Sequence, residues 1–97
     1  MRLRPPPNAL PELVAGDDDS PILAYFAVAL RSERMRAGLT TTELAARLGQ
    51  RRTTVVCWET GRGIPRFTNL MRLLAIFPDL ADALSDLAGQ LREAEAS

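Results

Sequence analysis

The sequence predicts an all-α fold: five helices behind an extended N-terminal arm. Three observations predict it. Between residues 20 and 95, apolar residues recur at three- and four-residue intervals, the spacing that lines one face of a helix. The interruptions are helix punctuation: Ser20-Pro21, Gly38, Thr40 with Glu43, Gly49, Pro65 and Pro78. Nothing in that stretch demands a strand. The chain has 97 residues, enough for one domain. A core of that size is modest, so a partner subunit would help to stabilise it.

The elements follow in order. Residues 1–19 read as a Pro-rich, acidic arm. Pro5, Pro6 and Pro7 favour polyproline II, and Pro11, Gly16 and Asp17 to Asp19 do not build a helix. Leu10, Leu13 and Val14 give the arm some apolar surface. Ser20 is the expected N-cap of the first helix and Pro21 suits its first position. Leu23, Phe26, Ala27 and Leu30 mark its buried face, and Gly38 ends it. Thr40 and Glu43 have the spacing of a capping box for a short second helix, whose apolar stripe is Leu44, Ala45 and Leu48. Gly49 closes it. A third helix runs from about residue 51 to 60 and buries Val55 and Trp58. Pro65 opens a fourth, with Phe67, Leu70, Leu73 and Leu74 facing inward, and Pro78 stops it. A fifth begins at Asp79, with acid in its first turn to suit the helix dipole. Its Leu80, Leu84, Leu87 and Leu91 form a short heptad seam. That seam has two readings of equal weight, a stripe packed on the domain's own core or half of a dimer interface.

Charge is distributed unevenly. The formal net charge is zero. Residues 31–72 nevertheless carry +6, between a 1–30 segment at −2 and a 73–97 segment at −4. A basic block of this kind can neutralise phosphates and release counterions. All twelve basic residues are Arg, whose planar fork matches phosphate and guanine. The lone Cys57 excludes an internal disulfide and fits a reducing compartment. The Pro-rich, acidic start does not read as a signal peptide, and the apolar run at 22–30 is far too short to span a membrane. A cytoplasmic location is the expectation. There is no His, no metal-ligand cluster and no phosphate-binding glycine loop, so no catalytic residue, metal or cofactor is expected.

The informative stretch lies between residues 38 and 61. Two short helices meet at a tight turn around Gly49, and Ala45 is small enough for the second to lie across the first. Val55 and Trp58 are committed to the core. Arg51, Arg52, Thr53, Val56 and Cys57 are left on the opposite face, which could enter a major groove. The combination Glu43-Leu44-Ala45, Gly49 and Trp58-Glu59-Thr60-Gly61 resembles the lambda repressor/Cro-like (XRE) helix-turn-helix family. Ile64-Pro65-Arg66-Phe67 and Leu70 with Leu73 extend the match, which covers about residues 27–77. The resemblance implies a five-helix lambda-repressor-like helix-turn-helix domain with the third helix reading DNA. It places Arg51, Arg52, Thr53, Val56 and Cys57 at base edges: an Arg on guanine O6 and N7, Val56 or Cys57 against a thymine methyl. It places Thr41, Thr42, Arg62 and Arg66 at phosphates, which orient the protein without reading sequence. Where the family often has Gln, this chain has Thr41. At the turn it has Gln50 and Arg51, so the third helix lacks the usual hydroxyl cap. Val56 and Cys57 make the reading face more apolar than is usual.

Three functional expectations follow. The leading one is a transcriptional regulator, a repressor that binds a palindromic operator of double-stranded DNA as a homodimer, with Leu80, Leu84, Leu87 and Leu91 at the two-fold contact. The second is an antitoxin that autoregulates its operon while its N-terminal arm wraps a protein partner. The third is a protein-interaction domain that keeps the fold without binding DNA. The corresponding domain boundaries are 1–19 for the arm, 20–78 for the DNA-binding domain and 79–97 for the C-terminal helix. Trp58 reads as core and Glu59 as an acceptor that stabilises the turn. Arg34 and Arg36 read as partners of Glu33 or as solvated side chains.

Overall fold

The computed structural model describes residues 19–96. The arm before Asp19 lies outside the described residues. Five helices and no strand are present among them: α1 (Ser20–Arg36), α2 (Thr41–Leu48), α3 (Arg52–Glu59), α4 (Phe67–Ile76) and α5 (Asp79–Ala96). None is long and apolar enough to cross a membrane.

Helix ends fall where local chemistry satisfies the backbone. Asp19, one residue before the expected Ser20, is the N-cap of α1. Its carbonyl accepts the Leu23 N–H at 3.0 Å, and Pro21 sits in the first turn, where a missing N–H costs nothing. The capping box of α2 is complete. Thr40 Oγ1 accepts the Glu43 N–H at 3.0 Å, and Glu43 Oε1 accepts the Thr40 N–H at 2.8 Å. The Thr40 backbone N–H, and after it the Thr40 hydroxyl, favour the ionised form and hold the Glu43 carboxyl below its ordinary pKa. Gly49 ends α2 at φ 66°, a left-handed conformation that other residues adopt at a cost. α3 begins three residues later, at Arg52.

One core binds all five helices. Phe26 and Leu30 of α1, Leu44, Ala45 and Leu48 of α2, Val55 and Trp58 of α3, Leu73 of α4, Phe77 and Leu80 form a single buried cluster. Leu30, Leu44, Val55, Leu73 and Leu80 are fully enclosed. Each such side chain contributes on the order of 2 kcal/mol relative to exposure. α1 lies against both α3 and α5, and α2 against α3.

One expectation is corrected here. Phe67 does not face inward and is 72% exposed. The inner face of α4 runs through Asn69, Leu73 and Phe77 at four-residue spacing, and at about 100° per residue Phe67 falls outside it. Asn69 is buried in its place and accepts a hydrogen bond from Arg72 at 3.4 Å. In the α5 seam, Leu80 and Leu87 are buried inside the monomer, as the core reading of that stripe has it, and Leu84 and Leu91 are half-buried.

The long-range polar contact between α1 and α3 was not foreseen. The Arg34 guanidinium donates from Nε to Glu59 Oε2 at 2.7 Å and from Nη2 to Glu59 Oε1 at 2.9 Å. Its Nη1 donates to the Leu39 carbonyl at 2.8 Å. The two side chains are 14% and 6% exposed. The hydrogen bond to Glu59 raises the Arg34 pKa against the opposing effect of burial.

Removing Arg34 leaves a buried carboxylate without its partner. Arg34→Met is expected to cost about 3 kcal/mol in urea unfolding, and Arg34→Met with Glu59→Leu to recover most of that loss. Thr40→Ala is expected to cost about 1 kcal/mol through loss of the cap. Because the folded pKa of Glu43 is lowered, its contribution is complete above the ordinary carboxylate range and is lost as pH falls through the folded pKa. Wild type should therefore lose stability relative to Glu43→Gln only on the acid side of that range, as thermal melts across a pH series would show.

Candidate nucleic-acid interface

The site is assembled around α3, an eight-residue helix. Alone, a helix this short is marginal in water. Here it is fixed by its buried side, Val55 and Trp58, by Ala45 of α2 beneath it and by the Arg34–Glu59 pair at its last residue. What remains outward is a face at its N-terminal end. Arg51, Arg52 and Thr53 are exposed there, and Val56 and Cys57 are half-buried one turn later. Arg51 is the N-cap, with no side-chain cap bond, as the missing hydroxyl at the turn leads one to expect.

Arg52 is oriented rather than free. Its Nε donates to Thr41 Oγ1 at 3.1 Å, across the turn from α3 to the start of α2. That bond occupies the inner edge of the guanidinium. Its two terminal nitrogens make no other hydrogen bond among the described residues and can present the paired donors that match O6 and N7 of a guanine or two phosphate oxygens. Thr41 Oγ1 is the acceptor, so the hydroxyl hydrogen stays available for an anion. Thr42, beside it, is exposed at the α2 N-terminus, where backbone N–H groups and the helix dipole favour negative charge.

Cys57 has a second neighbour. A Cβ placed on Gly63 would lie 3.3 Å from its sulfur, so the free thiol is packed beneath the α3–α4 loop as well as lying on the outer side of α3. The loop itself turns at Gly61, at φ 75°, where an added Cβ would come to 4.0 Å from the Ala24 Cα and the Leu23 carbonyl. The loop thus runs past the start of α1. Arg62 and Arg66 project from it, both exposed. Arg66 is also the N-cap of α4, its carbonyl accepting the Leu70 N–H at 2.8 Å.

Of the nine predicted nucleic-acid contacts, Thr41 and Arg52 touch, and Arg51, Thr53, Thr42, Arg62 and Arg66 are exposed on the turn, the α2 start and the following loop. Sequence reasoning missed an open polar groove between α3 and α4, lined by Gln50, Thr54, Arg66, Thr68, Asn69 and Arg72 among others. A signal for it existed: Thr68 and Arg72 are four apart on the non-apolar side of α4. Leu84 and Leu91 lie on α5, well away in sequence from this face. Among the described residues no group of three or more His, Cys, Asp or Glu could hold a metal ion.

Comparison with known families places this geometry. The model of a helix-turn-helix family, HTH_3, matches residues 30–78, from the middle of α1 to the start of α5. No curated protein and no solved structure matches the chain.

The Thr41–Arg52 bond has a direct test. Thr41→Val keeps the shape of the side chain and removes the acceptor. It should leave stability within about 0.5 kcal/mol, as expected for a surface change, and abolish the slowed solvent exchange of the Arg52 Nε–H in NMR spectra.

Proposed function

The chain belongs to the lambda repressor-like helix-turn-helix family, and from that premise we propose that it is a sequence-specific transcriptional regulator, a repressor that binds a palindromic operator as a homodimer through α3. The observation that carries the reading is Arg52, exposed at the start of α3 with its Nε held by Thr41. A guanidinium fixed in that way loses little freedom when its terminal nitrogens meet a guanine. Arg51 supplies a second fork beside it. Thr53 bonds a base or a phosphate, and Val56, with Cys57 behind it, offers apolar surface to a thymine methyl. The Thr41 and Thr42 hydroxyls, Arg62 and Arg66 bind phosphates on either side and set the angle of α3 in the groove.

Two-fold symmetry completes the model. Two copies reading half-sites about 34 Å apart would present α3 to successive major grooves on one side of the duplex. Leu84 and Leu91, the accessible pair of the α5 seam, supply the symmetric contact. Repression then requires only that the bound dimer occlude the site. The basic 31–72 block provides sequence-independent affinity, and the acidic segments on either side limit it. The protein acts in the cytoplasm.

The test is selection of bound duplexes from a random pool, followed by sequencing. Wild type should enrich a palindrome. Arg52→Ala should relax one position in each half-site, costing about 1–3 kcal/mol against the preferred base. Arg62→Ala should weaken binding to all sequences alike and reduce the salt slope by about 1. Weak, uniform binding with no enriched sequence would overturn the proposal.

A further inference from the structure

Of the five large apolar side chains left exposed among the described residues, Val28 and Met35 lie on α1, and the other three follow one another along the loop after α3 and along α4. Ile64 is 60% exposed, Phe67 72% and Met71 46%. Phe67 and Met71 are four apart on α4, so they share one face, and Ile64, three residues before Phe67, lines the adjacent groove between α3 and α4. Isolated exposed apolar residues need no explanation. Three neighbouring large ones, on the order of 300 Å² together, match the scale of patches that serve binding. Exposed Arg62, Arg66 and Arg72 accompany them. An occupant must therefore be apolar and acidic together.

The chain contains such a segment. Leu10, Leu13 and Val14 are followed by Asp17, Asp18 and Asp19, with Glu12 among them. Its point of attachment is favourable. Asp19 begins α1, one turn before Leu23 and Ala24, which flank Gly61 at the start of the loop. From Asp19 the segment meets its acids first and its apolar residues next. From Gly61 the loop presents Arg62, Ile64, Arg66 and Phe67 in that order. Both runs begin with charge and reach apolar side chains further along. Five or six extended residues span roughly 20 Å, enough to carry Leu13 and Val14 along the loop. A tether that short also gives a high effective concentration, so a weak contact suffices.

We propose that residues 10–19 dock on the Ile64–Phe67–Met71 face with their carboxylates toward Arg62 and Arg66, and that this contact competes with nucleic-acid phosphate for the same two arginines. The docking stands on the patch and the sequence of the arm. The competition rests on the DNA-binding reading above.

The experiment compares the full-length protein with a full-length Leu10→Ser/Leu13→Ser variant, which alters no charge. Amide NMR spectra and affinity for a mixed-sequence duplex at low salt are recorded for both, and for Phe67→Ser. The expected result is that the arm variant shifts the amides of residues 64–71 and binds the duplex at least about threefold tighter. Phe67→Ser should give a similar gain that does not add to it. Unmoved patch amides with equal duplex affinity would overturn the inference and leave the DNA reading intact. Patch amides that shift with protein concentration in both proteins would identify a second copy as the occupant and overturn it too. Shifted amides with unchanged affinity for a bound duplex would refute the competition. Shifted amides with no binding of any duplex would support the docked arm while the DNA reading fails.

Discussion

A bidentate ion pair between Arg34 and Glu59 sets what the rest of the molecule can do. It ties the third residue from the C-terminus of α1 to the last residue of α3, and the same guanidinium holds the Leu39 carbonyl in the link to α2. The end of α1, the link to α2 and the end of α3 are thereby fixed by one side chain. Partial enclosure makes the arrangement costly to break, because either partner left alone would be a poorly solvated charge. A helix of eight residues has few interactions of its own. With Trp58 in the core and Glu59 clamped beside it, the C-terminal end of α3 is anchored and its N-terminal end is held out as a presenting surface.

The other features depend on that anchoring. Ala45 allows α3 to pack closely on α2, and Gly49 supplies the left-handed turn between them. Once the two helices are set, Thr41 at the start of one lies within hydrogen-bond reach of Arg52 at the start of the other. The result is an arginine whose orientation is decided before any partner arrives, and preorganised donors bind with a smaller entropy cost. The same geometry places Arg62 and Arg66 on the loop after α3, so four exposed arginines, Arg51, Arg52, Arg62 and Arg66, lie on the turn, the start of α3 and that loop.

The helices themselves were legible because their signals are local. The Thr40–Glu43 cap, the glycines at 38 and 49 and the apolar spacing through Leu44, Leu48, Val55 and Trp58 act within a turn or two, and the structure follows them. The outward placement of Arg51, Arg52 and Thr53 came with that pattern. What escaped was set by tertiary packing. Phe67 reads as core from its type alone, yet Asn69 takes the inner place. Leu80 and Leu87 belong to a heptad seam whose spacing suits a core stripe and a dimer face alike, and the fold buries these two internally. The Arg34–Glu59 pair spans 25 residues, and no spacing rule reaches that far. The Thr41–Arg52 bond likewise requires the crossing of α2 and α3, which neither helix specifies alone.

The central claim is that α3 is held as a rigid reading element by the monomer itself, and native-state hydrogen exchange tests it most directly. In the free wild-type protein, the amides in the second half of α3, including Trp58, should exchange only with the global unfolding that releases Leu73 of the core, while Arg34→Met should let them open separately. If those amides already exchanged through a low-energy local opening in wild type, α3 would not be a preformed reader and the account would be contradicted.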